Sequence, residues 1–467
     1  MNKSVIGIDL GTSSVKILQL FQDKTKSISR DSYKEISQEG RWGAICRALA
    51  KLELETVEAI SLSSQVGTYI VNDSEVISWN SGIGKEEVSE FKKKYESEIF
   101  LKEISMMHPS IVSYPIPRLK YIKKHFKNIE SICQPKDFIC EKLTGKRVTD
   151  QYSWRGLANL DTKCYSTFFL NDLGIDENVL PEMKDYTSFA GVTKELLLGE
   201  GRILKAGIPV YVGLNDYYAS LLGMGIRNTG DLFDISGTSE HLGVIENKVK
   251  TDTALVSGPY LYENVHYGVT ASSGASVKFG LRLLSDKEIE MDKIRKNQPP
   301  IFLPYLNGER APIWDADAKG VYFGICENCT QEELAYAAME GVVFSLYHIY
   351  ESMGCPEVKN MTISGGAAVF PVLTQLKAEM FGIPTQTLEE NETSALGASI
   401  VAALGAGWYK TLEEATKDLC KIKEIFYPTG GHIEWMQKRY SIYKELYPEV
   451  KLQYEKLKEL NPLNLSF

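Results

Sequence analysis

Two stretches, "GIDLGTSSVK" at Gly7–Lys16 and "DISGTSEHLGV" at Asp234–Val244, decide how this sequence folds. Each sets a Gly-Thr-Ser triplet between runs of Ile, Val and Leu, which predicts a hairpin with a small, polar tip. Such a turn presents backbone N–H groups and hydroxyls in one concavity, and that shape suits phosphate oxygens. A single triplet means little, because most such turns are only turns. Two copies, each opening roughly half of the 467 residues, point to a duplicated α/β domain whose two turns clasp one polyphosphate.

Composition agrees with that size of protein. With 43% apolar residues, the chain has enough for two cored domains, and the seam is expected near "IRNTG", Ile226–Gly230. The balance of 52 basic against 61 acidic residues, net charge -9, is the opposite of what a nucleic-acid backbone selects. Asp9 and Lys16 interrupt the first apolar runs, so no signal peptide is expected and the protein reads as cytoplasmic. "ALGASIVAALGAGWY" from Ala395 is too short and glycine-rich to span a bilayer and reads as a tightly packed helix. The eight cysteines are scattered. Cys326 and Cys329 form the one close pair, without a second pair or clustered histidines to complete a zinc site.

Short strands alternate with helical stretches in both halves. "RLKYIKKHFKNIESICQPKDFICEKL" reads as helical with a break at Pro135. Thr330 and Glu333 form a capping box ahead of an apolar run. The tail from Gln437 reads as an amphipathic surface helix interrupted by Pro448.

The chain contains no G-x-x-x-x-G-K-[ST], no H-R-D or D-F-G, and no G-x-G-x-x-G after its first strand, which excludes the Walker, protein-kinase and Rossmann solutions. "VYVGLNDYYASLLGMGI" instead delivers Asp216 at the end of a buried strand. A carboxylate there can accept the proton of a hydroxyl attacking a γ-phosphate, or it can simply cap the following helix. In "TISGGAAVFPVLTQLKAEMFGIP", a strand runs through Ser364-Gly365-Gly366-Ala367 into a helix. Small residues there allow close approach of a nucleoside, or serve only tight packing.

The most specific stretch is "PYLNGERAPIWDADAKGVYFGI", Pro304–Ile325, followed by "TQEELAYAAMEGV". It resembles the P-Y-L-x-G-E-R-x-P signature of the FGGY carbohydrate kinases, xylulokinase-like members of the actin-like ATPase superfamily. Weaker agreement runs through "AISLSSQ", "ISWN", "PKDFICEKLTG" with Thr149-Asp150, and "ETSALGASIVAALGAG". The resemblance implies two duplicated actin-like/ribonuclease H-like domains with an ATP and sugar cleft between them. Residues 1–227 would be the sugar-binding N-terminal domain and 228–467 the nucleotide-binding C-terminal domain. It implies ATP-dependent phosphorylation of a ketose such as D-xylulose. Another ketose or polyol (L-xylulose, ribulose, sedoheptulose, glycerol) and a catalytically weak sugar-sensing relative are the alternatives. An ATP-dependent binding protein of the chaperone or actin type is disfavoured, because those relatives lack the GERAP segment and the Asp216 strand end.

By the same resemblance Asp216 is the general base and Asp9 helps hold Mg2+. Gly11, Thr12, Ser13, Lys16, Gly237, Thr238 and Ser239 line the ATP phosphates, and Gly274, Gly365, Gly366, Ala367 and Phe370 face the nucleoside. Gln65, Val66, Gly67, Trp79, Asn80, Asp216 and Tyr217 form the sugar side. The resemblance also admits a homodimer. Several positions depart from the xylulokinase pattern: Gln65-Val66-Gly67-Thr68 replaces Gln-Met-His-Gly, and Trp79-Asn80-Ser81-Gly82-Ile83 replaces Trp-Asn-Asp-x-Arg. Arg118 and Tyr121 stand for the signature's lysine and tryptophan, and Ala367 for a glycine. These exchanges imply a sugar pocket with fewer hydrogen-bonding groups, since an unpaired sugar hydroxyl costs binding free energy.

Overall fold

The structure, a computed structural model, describes residues 2–33, 37–106, 111–199, 201–251, 254–284 and 289–460. It divides into two compact units, Met1–Gly225 with Glu392–Lys421 and Ile226–Asn391 with Ile422–Phe467.

The first unit is built on a six-stranded sheet. Its strands are β1 (Ser4–Leu10), β2 (Ser14–Phe21), β3 (Lys26–Ser32), β4 (Val57–Ser64), β5 (Phe189–Val192) and β6 (Pro209–Asn215), in the order β5-β6-β4-β1-β2-β3. β1–β2, β2–β3 and β5–β6 are antiparallel, whereas β1–β4 and β4–β6 are parallel. Every residue of β1 is buried, as expected of a central strand covered on both faces.

The second unit carries β7 (Leu232–Ser236), β8 (Glu240–Glu246), β9 (Val256–Tyr260), β10 (Glu263–Val269), β11 (Met361–Gly365), β12 (Thr385–Leu388) and β13 (Ile422–Phe426). Their order is β9-β10-β8-β7-β11-β12-β13. Apart from the added edge strand β9, this repeats the first sheet in order and direction: two antiparallel neighbours on one side of β7, two parallel strands on the other, then an antiparallel edge. The duplication read from the two Gly-Thr-Ser stretches is therefore a duplication of topology, with the hairpins β1–β2 and β7–β8 in equivalent places.

Some local readings hold and others change. Thr330 and Glu333 form both halves of the capping box at the start of the helix Gln331–Ser352. The stretch expected to be one helix broken at Pro135 is instead two helices, Pro115–His125 and Pro135–Thr144, with the short strand Ile132–Cys133 between them, and Pro135 opens the second helix where its missing N–H costs nothing. The tail differs from expectation: Ile433–Glu459 is one continuous helix with Pro448 inside it. Burial of Met436, Tyr440, Tyr443, Leu446 and Tyr454 anchors it to the second unit's core, so packing outweighs the lost hydrogen bond at the proline.

The small-residue stretch forms the helix Thr393–Gly405, nearly all of it buried. Although it lies late in the chain, it belongs to the first unit, where the sequence alone would leave it in the second half. The reason is steric: a Cβ on Gly397 would lie 1.9 Å from the carbonyl oxygen of Ala219, so glycine lets this helix pack directly against Asp216–Gly223. Among the described residues no helix is long and apolar enough to cross a membrane. All eight cysteines are free thiols.

Candidate active site

In the first unit the register of the sheet assembles the Gly11–Ser14 turn. β1 and β2 hold Asp9 opposite Lys16, and β1 and β4 hold Asp9 beside Ser63. The Ser63 hydroxyl donates to Asp9 Oδ1 at 3.1 Å. Burial pushes the Asp9 carboxyl up to about 6 against the opposing effects of Ser63 and Lys16. The turn itself is closed by the Gly11 N–H donating to the Ser14 carbonyl at 2.9 Å. Tyr33, buried below it, donates its hydroxyl to the Gly11 carbonyl and its N–H to Ser13. Thr12 and Ser13 are left exposed at the tip. Lys16 directs its ammonium to Glu392, 2.5 Å away, and Arg30 shares that carboxylate at 2.6 Å.

The residues expected on the sugar side lie next to this turn. The Thr12 hydroxyl donates to Gln65 Oε1 at 2.9 Å and accepts from Trp79 Nε1 at 3.3 Å. Thr68 Oγ1 accepts from the Trp79 N–H at 3.2 Å and from Gln65 Nε2 at 3.4 Å. Gly67, with φ +82, donates its N–H to Gln134 Oε1 at 2.9 Å, while Val66 is half-buried. Trp79 is 40% exposed, so its ring lies at the surface and not in the core. Asn80, also exposed, accepts from Ser78. Arg118, fully buried, donates to Ser81 Oγ and to the carbonyls of Ser78, Trp79 and Ser81. It is a brace for the Trp79 loop.

Asp216 begins the helix Asp216–Gly223 directly after β6. The alternative of a cap is taken by its neighbour: Asn215 accepts the Tyr218 N–H at 2.9 Å and donates to the Tyr152 carbonyl. Asp216 is thus released from capping, with one oxygen accepting the Tyr217 N–H at 2.8 Å. Loss of solvation and the nearby Asp9 carboxylate push it up to about 7. Tyr217 lies half-buried beside it, its ring edge-on to Tyr218.

In the second unit the turn Gly237–Ser239 is closed by the Gly237 N–H donating to the Ser239 carbonyl at 2.9 Å, as Gly11 closes the first. Gly274 donates its N–H to the Thr238 carbonyl, and a Cβ there would lie 2.1 Å from the Gly237 oxygen. Gly365, with φ +83, abuts Ser236 just as closely. The expected nucleoside and phosphate glycines therefore converge on one turn. Gly366 has open space beside it, Ala367 continues the short turn Gly366–Val369, and Phe370 precedes the helix Pro371–Phe381 against the core. Glu309 of the GERAP segment accepts from the N–H groups of Ala271 and Arg310 and from Ser345. It fastens that segment to the loop preceding Gly274.

Residues 4–223 match the N-terminal domain model of the FGGY family of carbohydrate kinases, and residues 222–406 match its C-terminal domain model. The chain belongs to the FGGY carbohydrate kinases. A xylulose kinase from Staphylococcus xylosus is 28% identical, over 95% of this chain and 99% of that one. A glycerol kinase from Thermococcus gammatolerans is 27% identical over 95% and 97%. The crystal structure of a ligand-bound xylulose kinase from Lactobacillus acidophilus superposes with a TM-score of 0.84 at 24% identity, covering 97% of this chain and all of the other. The two-domain FGGY fold expected from the sequence is thereby established.

Several residues that shape this FGGY kinase's site carry little signal in the sequence. Lys136 and Asp150 form a fully buried ion pair at 2.7 Å, and Lys136 also donates to the carbonyls of Val212 and Gly213 in β6. Beneath the second turn, Lys377 bonds Asp234 and Glu240 in another buried cluster. Only three-dimensional proximity reveals the second, because Asp234 and Glu240 lie far from Lys377 in the chain. The pairing of Thr12 with Gln65 and Trp79 is equally invisible in one dimension.

Proposed function

We propose that the chain transfers the γ-phosphate of ATP, as its magnesium complex, to a hydroxyl of a ketose such as D-xylulose, with Asp216 as the general base. The observation that carries this reading is the Asp216 carboxyl itself. It stands at a helix start without serving as the cap, and its proton affinity is raised to about 7, where a base both accepts a proton readily and is substantially ionised at neutral pH.

Asp9 supplies the carboxylate for magnesium, raised by burial, and Asp216, kept as the base, lies close enough to feel its charge. Among the described residues no third acidic, histidine or cysteine side chain joins them. That set fits magnesium, which takes one or two carboxylates and completes its shell with water and substrate phosphates. When bound, the ion neutralises charge on the transferring phosphoryl group. The chain's own share is positioning. Gly11, Thr12 and Ser13 with Gly237, Thr238 and Ser239 hold the phosphates, while Gly274, Gly365, Gly366, Ala367 and Phe370 receive the nucleoside. Gln65, Val66, Gly67, Trp79, Asn80 and Tyr217 hold the acceptor so that Asp216 meets the attacking hydroxyl. Positioning supplies most of the rate in such transfers.

The replaced Gln65–Thr68 and Trp79–Ile83 stretches favour a second reading of the acceptor as another ketose or a polyol, and glycerol kinases are among the relatives. Action in the cytoplasm and a homodimeric state are further parts of the proposal. Coupled ADP release from the purified protein with Mg-ATP, across ketopentoses, ketohexoses, ketoheptoses, polyols and glycerol, tests it. One acceptor raising ADP release well above the ATPase background supports the kinase reading and identifies the acceptor. Nucleotide binding without stimulation by any acceptor would replace it with a sugar-sensing role.

A further inference from the structure

Resting on the assignment of Thr12 to the phosphates, we infer that Trp79, Thr12 and Gln65 form a latch that withholds the Thr12 hydroxyl from the nucleotide until an acceptor sugar is in place. A threonine hydroxyl has one proton to donate. Here that proton is committed to Gln65 Oε1 at 2.9 Å, and Trp79 Nε1 occupies the oxygen from the other side at 3.3 Å. Thr68 closes the ring by accepting from both Trp79 and Gln65. Arg118 holds the Trp79 loop from beneath through four hydrogen bonds. The latch is therefore a supported arrangement of four side chains, spanning β1–β2, the end of β4 and the Trp79 loop.

A polyhydroxylated acceptor presents groups that replace these bonds, with a hydroxyl donating to Gln65 Oε1 and another accepting from Trp79 Nε1. Once they are satisfied by sugar, the Thr12 proton is free for a phosphate oxygen, where the bond is charge-assisted and stronger. By linkage, acceptor then tightens nucleotide binding and nucleotide tightens acceptor binding by the same factor. The exposed half of the Trp79 ring is the side from which an acceptor reaches the latch. In the absence of acceptor, the phosphates are held less well, which limits hydrolysis by water.

The test needs no knowledge of the sugar. Binding of the Mg2+ complex of β,γ-imido-ATP, a non-hydrolysable analogue, is measured by calorimetry without acceptor for the wild type, Gln65→Met, Trp79→Phe and Thr12→Val. Gln65→Met removes the acceptor of the Thr12 proton and is expected to tighten the analogue by about three- to tenfold, Trp79→Phe removes only a donor to the Thr12 oxygen and should leave it within about twofold of wild type, and Thr12→Val weakens it by about three- to tenfold. A merely structural role would move Gln65→Met and Thr12→Val in the same direction. Affinity equal to or below wild type in folded Gln65→Met overturns the latch while leaving the kinase reading intact. Failure of the wild type itself to bind the analogue overturns that reading, and the latch with it.

Discussion

Asp216 owes its proton affinity to the place where β6 ends: a helix start whose capping role Asn215 has taken, within reach of the Asp9 carboxylate. Asp216→Ala is expected to lower kcat by about 10² to 10⁴ while leaving binding of the magnesium-ATP analogue within a few-fold of wild type. Because the base must be ionised, kcat/KM should fall on the acid side with an apparent pKa of about 7, and a profile flat from pH 5.5 to 8 would contradict the assignment. Stability carries the opposite sign. A carboxyl raised from 3.8 to about 7 favours the folded state below its unfolded pKa, and that advantage is lost as the pH rises through 7. Asp216→Asn should therefore stabilise the protein by about 1–3 kcal/mol at pH 8 and scarcely at pH 4, as seen in urea unfolding at the two pH values. An inactive variant that is also more stable is the signature of a residue kept for chemistry.

At the scale of elements, the chemistry depends on braces. Lys136, on the helix Pro135–Thr144, ties Asp150 to the carbonyls of β6 just ahead of Asp216. Lys136→Met leaves the Asp150 charge buried with one partner fewer, and should cost about 3–5 kcal/mol of unfolding free energy together with a fall in kcat. A change in urea midpoint without any change in kcat would make the brace purely structural. Gly274→Ala places a methyl group 2.1 Å from the Gly237 carbonyl oxygen. Backbone has to move, so the KM for ATP should rise about tenfold or more with little change in the KM for the acceptor. These elements also show what a sequence conveys. The hairpins, the Thr330 capping box and the strand leading to Asp216 are local patterns, and local patterns are legible. Lys377 carries no such local sign, since the carboxylates that explain it arrive from strands remote in the chain, and the Lys136–Asp150 pair forms only once the helix and the following strand fold back on each other. Pro448 misled for a related reason: a helix anchored by Tyr440, Tyr443 and Tyr454 tolerates a proline that an isolated helix would not.

Across the whole molecule, the repeated stretches at Asp9 and Asp234 announced a duplication that the two sheets repeat apart from the added edge strand β9. The two compact units change over in the chain between Gly225 and Ile226, and the return of Glu392–Lys421 to the first unit depends on glycine-mediated packing that no periodicity records. The second unit also keeps an aspartate at the equivalent of Asp9, and there it is held by the buried Lys377. The two carboxylates have diverged: one stands near Asp216, the other is fixed in a buried cluster with Lys377 and Glu240. The measurement that tests the central claim most directly is phosphorus NMR of the reaction with Mg-ATP and the best acceptor of the panel, run on the wild type and Asp216→Asn in parallel. The account predicts a sugar-phosphate resonance growing in step with ADP for the wild type, and neither for Asp216→Asn over the same time. Inorganic phosphate as the only product of the wild type, or undiminished sugar phosphate from Asp216→Asn, would contradict it.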